Sequence, residues 1–387
     1  MSAIIEISIF YFLGILICYA LLILFFNVSW FSIKTYATSE KPLKTKVSVV
    51  LPVRNESENI LQCLEKISSQ NYPTELFEII VVDDSSTDNT VDLVREFISR
   101  KFSIKITLLE LSKLNLSSKK LAITQAVNVS TGEIIITTDA DCTMVPDWIK
   151  SLVEYYEEYK PAMIIAPVCF NDEKNVFQKM QSLEFLSLIS SGAASVKLGI
   201  PAMCNGANLV YEKKAFLKVG GFDKNNKYAS GDDVFLMHKI KSSLNGKIAF
   251  IKNYNSVVQT KPQPNLNYFF NQRKRWVSKS RGYTDFPTIL IALIVYLNNL
   301  SIILCLAFSI FYPMFLKYLL LIFALKFIID FPILLGISTF TKKKKLMYFY
   351  IPLQIAYPVY VVVIGIMGLF GNYQWKDRIN GAYEKRK

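Results

Sequence analysis

Apolar residues are spread unevenly along this chain of 387 residues. From about Ile4 to Phe31 the sequence is almost uncharged after Glu6, and three more long apolar stretches follow at Phe286 to Ile310, Phe315 to Thr339 and Met347 to Phe370. Each is long enough to cross a bilayer as a helix. Between Lys44 and Arg281 the composition is that of an ordinary globular protein, and short apolar runs alternate with segments of helical period. Val47 to Val53, Phe77 to Val82, Ile104 to Leu109 and Glu133 to Thr138 read as strands, their continuous apolar character being that of strands buried on both faces. Helices read from a cap at Asn55 through about Ser69, with Ile60, Leu64 and Ile67 on one side, from Asp88 to about Ser99, and from about Ser118 to Val129. Such alternation builds a doubly wound, mostly parallel α/β sheet, whose ligands bind past the carboxyl ends of the strands. The pattern divides the chain into an N-terminal anchor (1–33), a domain over 44–285 that ends in an amphipathic interface helix, a C-terminal membrane bundle (286–371) and a basic tail (372–387).

Composition sharpens this plan. Hydrophobic residues make up 52% of the chain and the mean hydropathy is +0.29, high for a soluble protein. The first stretch lacks a basic n-region, exceeds the length of a signal-peptide core and has no clear small-residue cleavage site, so it reads as an uncleaved anchor. Lys34, Lys41, Lys44 and Lys46 follow it, and the positive-inside rule then puts the domain on the cytoplasmic side of a bacterial-type inner membrane. The uncharged bridge Phe311-Tyr312-Pro313 fits the outer side, and Lys342 to Lys345 the inner. Three crossings after a cytoplasmic domain leave the tail outside, yet it carries Lys376, Arg378, Lys385, Arg386 and Lys387. Either the last apolar stretch, interrupted by Pro352 and Pro358, re-enters, or the span count is off by one. The net charge of +13 comes largely from residues flanking membrane segments, facing anionic lipid. No nucleic-acid motif accompanies it, and no nucleic-acid partner is expected. Cys18, Cys63, Cys142, Cys169, Cys204 and Cys305 are scattered without C-x-x-C spacing, which fits reduced, mostly buried thiols. A single histidine, His238, excludes histidine metal clusters and most triad chemistry, so any catalysis leans on carboxylates.

Four groups of residues carry candidate chemistry. Asp139-Ala140-Asp141 follows the fourth strand; in an extended backbone residues two apart share a face, so both carboxylates could reach one divalent cation that completes its shell with substrate phosphates. The alternative is an ordinary turn bonded by aspartate side chains. Asp83-Asp84 ends the second strand and would face the same crevice. Ser230-Gly231-Asp232-Asp233 opens an amphipathic segment, Val234 to about Ser243, where a cap followed by acids is the plainer reading. In Gln272-Arg273-Lys274-Arg275-Trp276 a helix would bring Gln272, Arg275 and Trp276 to one face. A basic helix with Tyr268, Phe269 and Trp276 lying on the membrane surface is the other reading, and the two are compatible. Lys326 and Asp330, one turn apart in an apolar stretch, fit a structural ion pair; an acceptor path or lipid-phosphate contact is the sharper alternative.

In order and spacing these groups resemble the family 2 inverting glycosyltransferases, in the membrane-embedded branch that includes cellulose, hyaluronan and poly-N-acetylglucosamine synthases. The last group is similar to that branch's Q-(Q/R)-x-R-W signature. The likeness covers roughly residues 45 to 285. Cys204 to Leu209 through Val219 to Phe222 is similar to the family's acceptor-side region, and Trp375-Lys376-Asp377-Arg378 to a W-x-x-R motif that would put the tail inside and favour re-entry.

The resemblance implies a GT-A fold, a nucleotide-diphosphate sugar donor of the UDP type, Mg²⁺ or Mn²⁺, and a lipid-linked or growing saccharide acceptor. It implies that Asp83 holds the nucleoside with Asp84 in support, that Asp139 touches donor ribose or sugar, and that Asp141 binds the metal. Lys119 matches the family's donor-side G-K-x-x-A lysine, with Ser118 where the family has glycine. Asp233, beside Asp232, matches the base, and Gln272, Arg275 and Trp276 would meet diphosphate and acceptor. The chemistry is consistent: a cation and a guanidinium neutralise the leaving diphosphate, and a carboxylate takes the acceptor's proton. Two rivals remain at this level: a membrane phosphotransferase or nucleotidyltransferase using the same acids, and a non-catalytic nucleotide-sugar-binding subunit.

Overall fold

A computed structural model describes residues 2–39, 41–100, 103–114, 118–223, 231–244, 246–370, 373–375 and 378–380. Ser230, Lys376, Asp377 and residues 381–387 lie outside the described residues, and with them the expected cap, the middle of the W-x-x-R segment and most of the basic tail. In chain order the elements are α1 (Ser2–Ser32), β1 (Val47–Val53), α2 (Ile60–Ser68), β2 (Phe77–Asp83), α3 (Thr90–Ser99), β3 (Lys105–Glu110), α4 (Lys119–Val129), β4 (Ile134–Thr137) and β5 (Thr143–Met144). There follow α5 (Trp148–Tyr159), β6 (Met163–Ile165), β7 (Val168–Phe170), α6 (Val176–Lys197), β8 (Leu209–Glu212), α7 (Lys213–Lys218), α8 (Asp232–Leu244), β9 (Ile248–Phe250), β10 (Val258–Thr260), α9 (Leu266–Ser278), α10 (Phe286–Ser309), α11 (Met314–Phe340) and α12 (Tyr350–Phe370).

The apolar runs form the centre of a seven-stranded sheet of order β3-β2-β1-β4-β8-β6-β9. Every residue of β2 and β4 is buried, as continuous apolar strands covered on both faces must be. β1 pairs in parallel with β2 on one side and β4 on the other, Val53 opposite Asp83 and Val50 opposite Thr137. The chain therefore reverses its direction of sheet growth between β1 and β4, and the crevice of a doubly wound sheet opens there. Only β8 runs against its neighbours, β4 and β6. A second, three-stranded sheet of order β5-β10-β7 stands beside it.

One helix starts later than its sequence suggests. α2 begins at Ile60, because Asn55 takes a left-handed φ of 49° and its side-chain oxygen accepts the Thr87 N–H at 2.8 Å. It ties two loops together instead of capping a helix. Ser118 does cap α4, its hydroxyl accepting the Leu121 N–H at 3.1 Å.

Among the described residues four helices are long and apolar enough to cross a membrane, one near the N-terminus and three near the C-terminus. α1, α10 and α11 pack along one another, meeting at one end through Phe12, Leu16, Ile302, Cys305, Phe315 and Ile322. At the other end the fully buried Trp30 of α1 packs on Phe340 of α11 and Phe250 of β9, with the Lys252 ammonium 4.2 Å from its ring centre. A single apolar cluster runs from that junction into the face of the sheet that carries Val50 and Ile80. α12 differs. Lys343, just before it, pairs with Glu173 at 2.7 Å; Tyr360, midway, bonds to Glu184 of α6; Gly368, near its end, accepts from Arg281 at 3.3 Å. It also packs on α10 and α11, so it joins the apolar bundle to α6 and α9 of the domain. The Lys326–Asp330 pair closes at 2.6 Å within the bundle and is completed by Tyr19 and Gln354, the arrangement of a structural ion pair.

Candidate active site

At the carboxyl edge of the sheet a cleft of about 490 Å³ is lined by Arg54 and Glu56 after β1, Asp84 after β2, Lys119 at the start of α4, Asp139 and Asp141 after β4, and Tyr268, Gln272 and Arg275 of α9. Parallel register brings the first wall together: the Asp84 N–H bonds to the Val53 carbonyl at 2.8 Å and the Thr138 N–H to the Val50 carbonyl at 3.2 Å. Asp83 and Asp84 are thereby separated. The Asp83 carboxylate turns back to the Ser86 N–H, whereas Asp84 lines the cleft.

Asp139 and Asp141 both line the cleft, by a different route from the strand period. β4 ends at Thr137, and the Cys142 N–H bonds to the Asp139 carbonyl at 3.1 Å, so the tripeptide is a turn. Buried Ala140 pins its middle, and the Thr260 hydroxyl of β10 donates to Asp141 Oδ2 at 3.0 Å. Beneath it Cys63 and Cys142 are buried free thiols, pushed up by that burial and inert as nucleophiles. Among the described residues no three His, Cys, Asp or Glu side chains gather closely enough to hold a metal by themselves. Asp139 and Asp141 could supply carboxylate oxygens to a divalent cation, whose remaining ligands would have to come from water or from a bound substrate.

Charge alternates across the site. Lys119 Nζ lies 2.7 Å from Asp139 and 3.7 Å from Asp232, bridging the β4 turn to α8. Burial works to lower this ammonium, but Asp139 and Asp232 outweigh it and hold it above the usual lysine range. Its neighbour Lys120 points inward, 5.2 Å from the Phe235 ring centre, and burial pushes it down to about 8. Asp233 pairs with Lys279, whose Nζ is 3.1 Å from Oδ1, and accepts its neighbour's Val234 N–H at 2.8 Å. Burial favours the protonated acid there, yet the Lys279 ammonium and the Val234 N–H prevail, so the carboxyl sits below the usual aspartate range. Gly231, at φ 88°, holds a conformation that favours glycine and leaves room for the Phe235 ring, which an added Cβ would meet at 2.7 Å, with Lys279 Cβ at 3.3 Å.

α9 gives the second wall through Tyr268, Asn271, Gln272 and Arg275, positions i, i+3, i+4 and i+7 of one face. Trp276 does not line the cleft. It turns toward Phe185, with ring centres 5.8 Å apart, and lies under the Arg273 guanidinium at 4.1 Å. His238 packs against Tyr283 and Thr288, away from the cleft. Lys279, Thr260 and Asn271 are additions to the residues named from sequence, and Tyr268, named there only as a membrane-surface aromatic, lines the cleft. Extending the helical period of Gln272 and Arg275 would have found Tyr268 and Lys279; Thr260 has no signal, because strand pairing alone brings it to Asp141.

Residues 48–220 match the family described as Glycosyl transferase family 2. The chain carries a family 2 glycosyltransferase domain. An undecaprenyl-phosphate 4-deoxy-4-formamido-L-arabinose transferase of Serratia proteamaculans is 35% identical over 144 residues, 37% of this chain and 42% of that one. A poly-beta-1,6-N-acetyl-D-glucosamine synthase of Staphylococcus epidermidis is 26% identical over 179 residues, 46% of this chain and 42% of that one. The matches thus span less than half the length of these curated relatives. In overall shape the chain resembles a mannosyltransferase of Pyrobaculum calidifontis, solved with GDP-Man and Mn²⁺, at a TM-score of 0.57 and 19% identity over 93% of this chain and 98% of that one. That likeness is one of fold, and the expected GT-A sheet with one N-terminal and three C-terminal apolar helices stands.

Proposed function

We propose that this glycosyltransferase is membrane-anchored and inverting, moving a sugar from a nucleotide-diphosphate sugar, of the UDP type, to a lipid-linked or growing saccharide acceptor at the cytoplasmic face of a bacterial-type inner membrane. Residues 44–285 are its transferase domain. The observation that carries the reading is the meeting of Asp84, Lys119, Asp139, Asp141 and Arg275 in one cleft at the sheet's switch point, with Asp232 and Asp233 behind it. In this reading Asp84 and Asp83 serve the nucleoside side, Asp139 the donor ribose or sugar, and Asp141 the metal. Bound Mg²⁺ or Mn²⁺ would neutralise charge growing on the leaving diphosphate. Arg275 and Lys119 do the same from the protein, in a site where charge is worth more than in water. Asp233 takes the proton of the acceptor hydroxyl as that oxygen attacks the anomeric carbon from the face opposite the diphosphate. One displacement inverts the carbon and needs no protein nucleophile. Trp276 serves the acceptor indirectly, as part of the packed base of α9.

A two-metal phosphotransferase needs several carboxylates around two adjacent ions, and the described residues gather no such cluster. The acceptor side is supported by α9, which forms one wall of the cleft and packs along α12. The test is to incubate the purified full chain with radiolabelled nucleotide sugars and lipid extract. Label is expected in lipid or polymer, to be lost with chelator, and to fall about 10²–10³-fold in Asp141→Asn. Full transfer with chelator, or in that variant, would overturn the metal's role.

A further inference from the structure

The second residue of the signature faces away from the cleft. Arg273 is buried, 2% exposed, among α6, α9 and α12. All three of its guanidinium nitrogens are used: Nη2 pairs with Glu184 of α6, Nε donates to the Tyr360 hydroxyl of α12 at 3.1 Å, and Nη1 donates to Gln272 Oε1 at 2.7 Å. The Tyr360 hydroxyl in turn donates to Glu184 Oε1 at 3.0 Å, so the three side chains form a closed ring. The planar guanidinium also stacks 4.1 Å from the Trp276 ring centre and 4.7 Å from that of Phe269.

Two consequences follow. A guanidinium can only donate, so the end of the Gln272 amide it meets must be the oxygen, and the NH₂ end is left for the cleft that Gln272 lines. Gln272 therefore presents two donors to an oxygen-rich ligand, a phosphate or a sugar hydroxyl. The second consequence concerns α12. Its Tyr360 completes the ring, and its Gly368 lies against Val277 and accepts from Arg281, so α12 holds α9 at its centre and just past its end.

We propose that Arg273 is a positioning residue, and that α12 is a clamp which, through Tyr360 and Glu184, fixes α9 so that Gln272 and Arg275 meet the reacting diphosphate and acceptor. The step it serves rests on the transferase reading above; the clamp itself does not. A buried Arg–Glu pair adds little net stability over apolar residues of similar size. Its use here is to set one rotation of α9.

The test uses the full chain in detergent. Tyr360→Phe keeps the ring and removes one hydroxyl; a paired Glu184→Met, Arg273→Met variant removes both charges together and leaves neither unpaired. Amide exchange over residues 268–278 should speed up about tenfold in Tyr360→Phe and more in the pair, with exchange in β1 and β2 unchanged. Transfer should fall in kcat by about tenfold and a hundredfold respectively, with nucleoside-diphosphate affinity within about twofold of the parent. Arg273→Lys should rescue little, since an ammonium cannot serve three fixed directions. Unchanged exchange over 268–278 in Tyr360→Phe overturns the clamp, whatever reaction the protein performs. Faster exchange with unchanged kcat overturns the positioning role. If no nucleotide sugar is turned over by the parent while exchange responds as stated, the clamp stands and the transferase reading falls.

Discussion

On one wall of the cleft Asp84, Lys119, Asp139 and Asp141 hang from strand ends and a capped helix start, held by backbone hydrogen bonds and parallel register. On the other, Tyr268, Gln272 and Arg275 hang from a helix whose placement depends on side chains of α6 and α12 far away in sequence. The difference is one of stiffness. A wall of register-locked backbone moves only if the sheet does, whereas a wall clamped by a tyrosine and a glutamate moves when that clamp opens. In the transferase reading, the stiff wall suits recognition of the invariant nucleotide part of the donor, and the clamped wall suits an acceptor that must leave or advance after each transfer. Asp233 lies where the two meet, on α8 but paired with Lys279 from the turn after α9.

The largest effect that would sharpen this comparison is Asp233→Asn. The amide keeps the shape and loses the base, so transfer should drop about 10²–10⁴-fold while nucleotide affinity, set by the strand-end wall, stays as it was. Steady-state kinetics beside calorimetric titration with the nucleoside diphosphate separates the two. Wild-type kcat in this variant would remove Asp233 from the reaction and with it the division of labour between the walls.

Lys119→Met comes next and acts on the stiff wall. It removes a charge that bridges Asp139 and Asp232 and leaves the two acids closer to unopposed. Donor affinity should weaken by about 1.5–3 kcal/mol, the worth of a charge-assisted hydrogen bond, and the effect should appear in KM for the donor. A loss confined to acceptor KM would place Lys119 on the wrong wall.

How much of this was legible in the sequence follows the same line. β1, β2 and β4 could be read from unbroken apolar runs, because burial on both faces leaves no room for polar residues, and their ends delivered Asp84 and Asp139 to one edge. The turn at Asp139 was legible as an alternative from residue type, but what holds it was not: the Cys142 N–H closes it and Thr260, far along the chain, buttresses it. Asn55 looked like a cap because caps are read from residue type, and its left-handed backbone has no such signature. On α9 the face of Gln272 and Arg275 was legible from period alone, but Trp276 was not: at 100° per residue it borders both the cleft and the core, and Phe185 and Arg273 decide between them. Whether the last apolar stretch spans or re-enters was raised as an open choice by the basic tail; the partners of α12 on α6 and past α9, Glu184 and Arg281, had no signal in the sequence because both are far along the chain.

The smallest effect, and the one that probes the joint between the walls, is Lys279→Met. In the parent, burial works to protonate Asp233 and Lys279 with the Val234 N–H overcomes it, leaving a depressed carboxyl. Without Lys279 the burial is less opposed and the carboxyl rises. A base works only when ionised, so the acid limb of the pH–rate profile should move to higher pH, with the rate near neutrality changed by about tenfold or less. Stability should follow the same sign. The pair's contribution in the parent is full above the ordinary aspartate range and is lost as pH falls through the depressed value. On the alkaline side Lys279 is held above its ordinary range, so the contribution persists through that range and fades only as pH rises past it. The variant should lack the contribution across this window and lose less than the parent at the acid end. Thermal unfolding from acid to neutral pH, measured beside the rate profile, gives both readings. An acid limb and an unfolding profile that match the parent's would mean that Lys279 and Asp233 do not share a charge in solution, and the loose wall would then have no hold on the base.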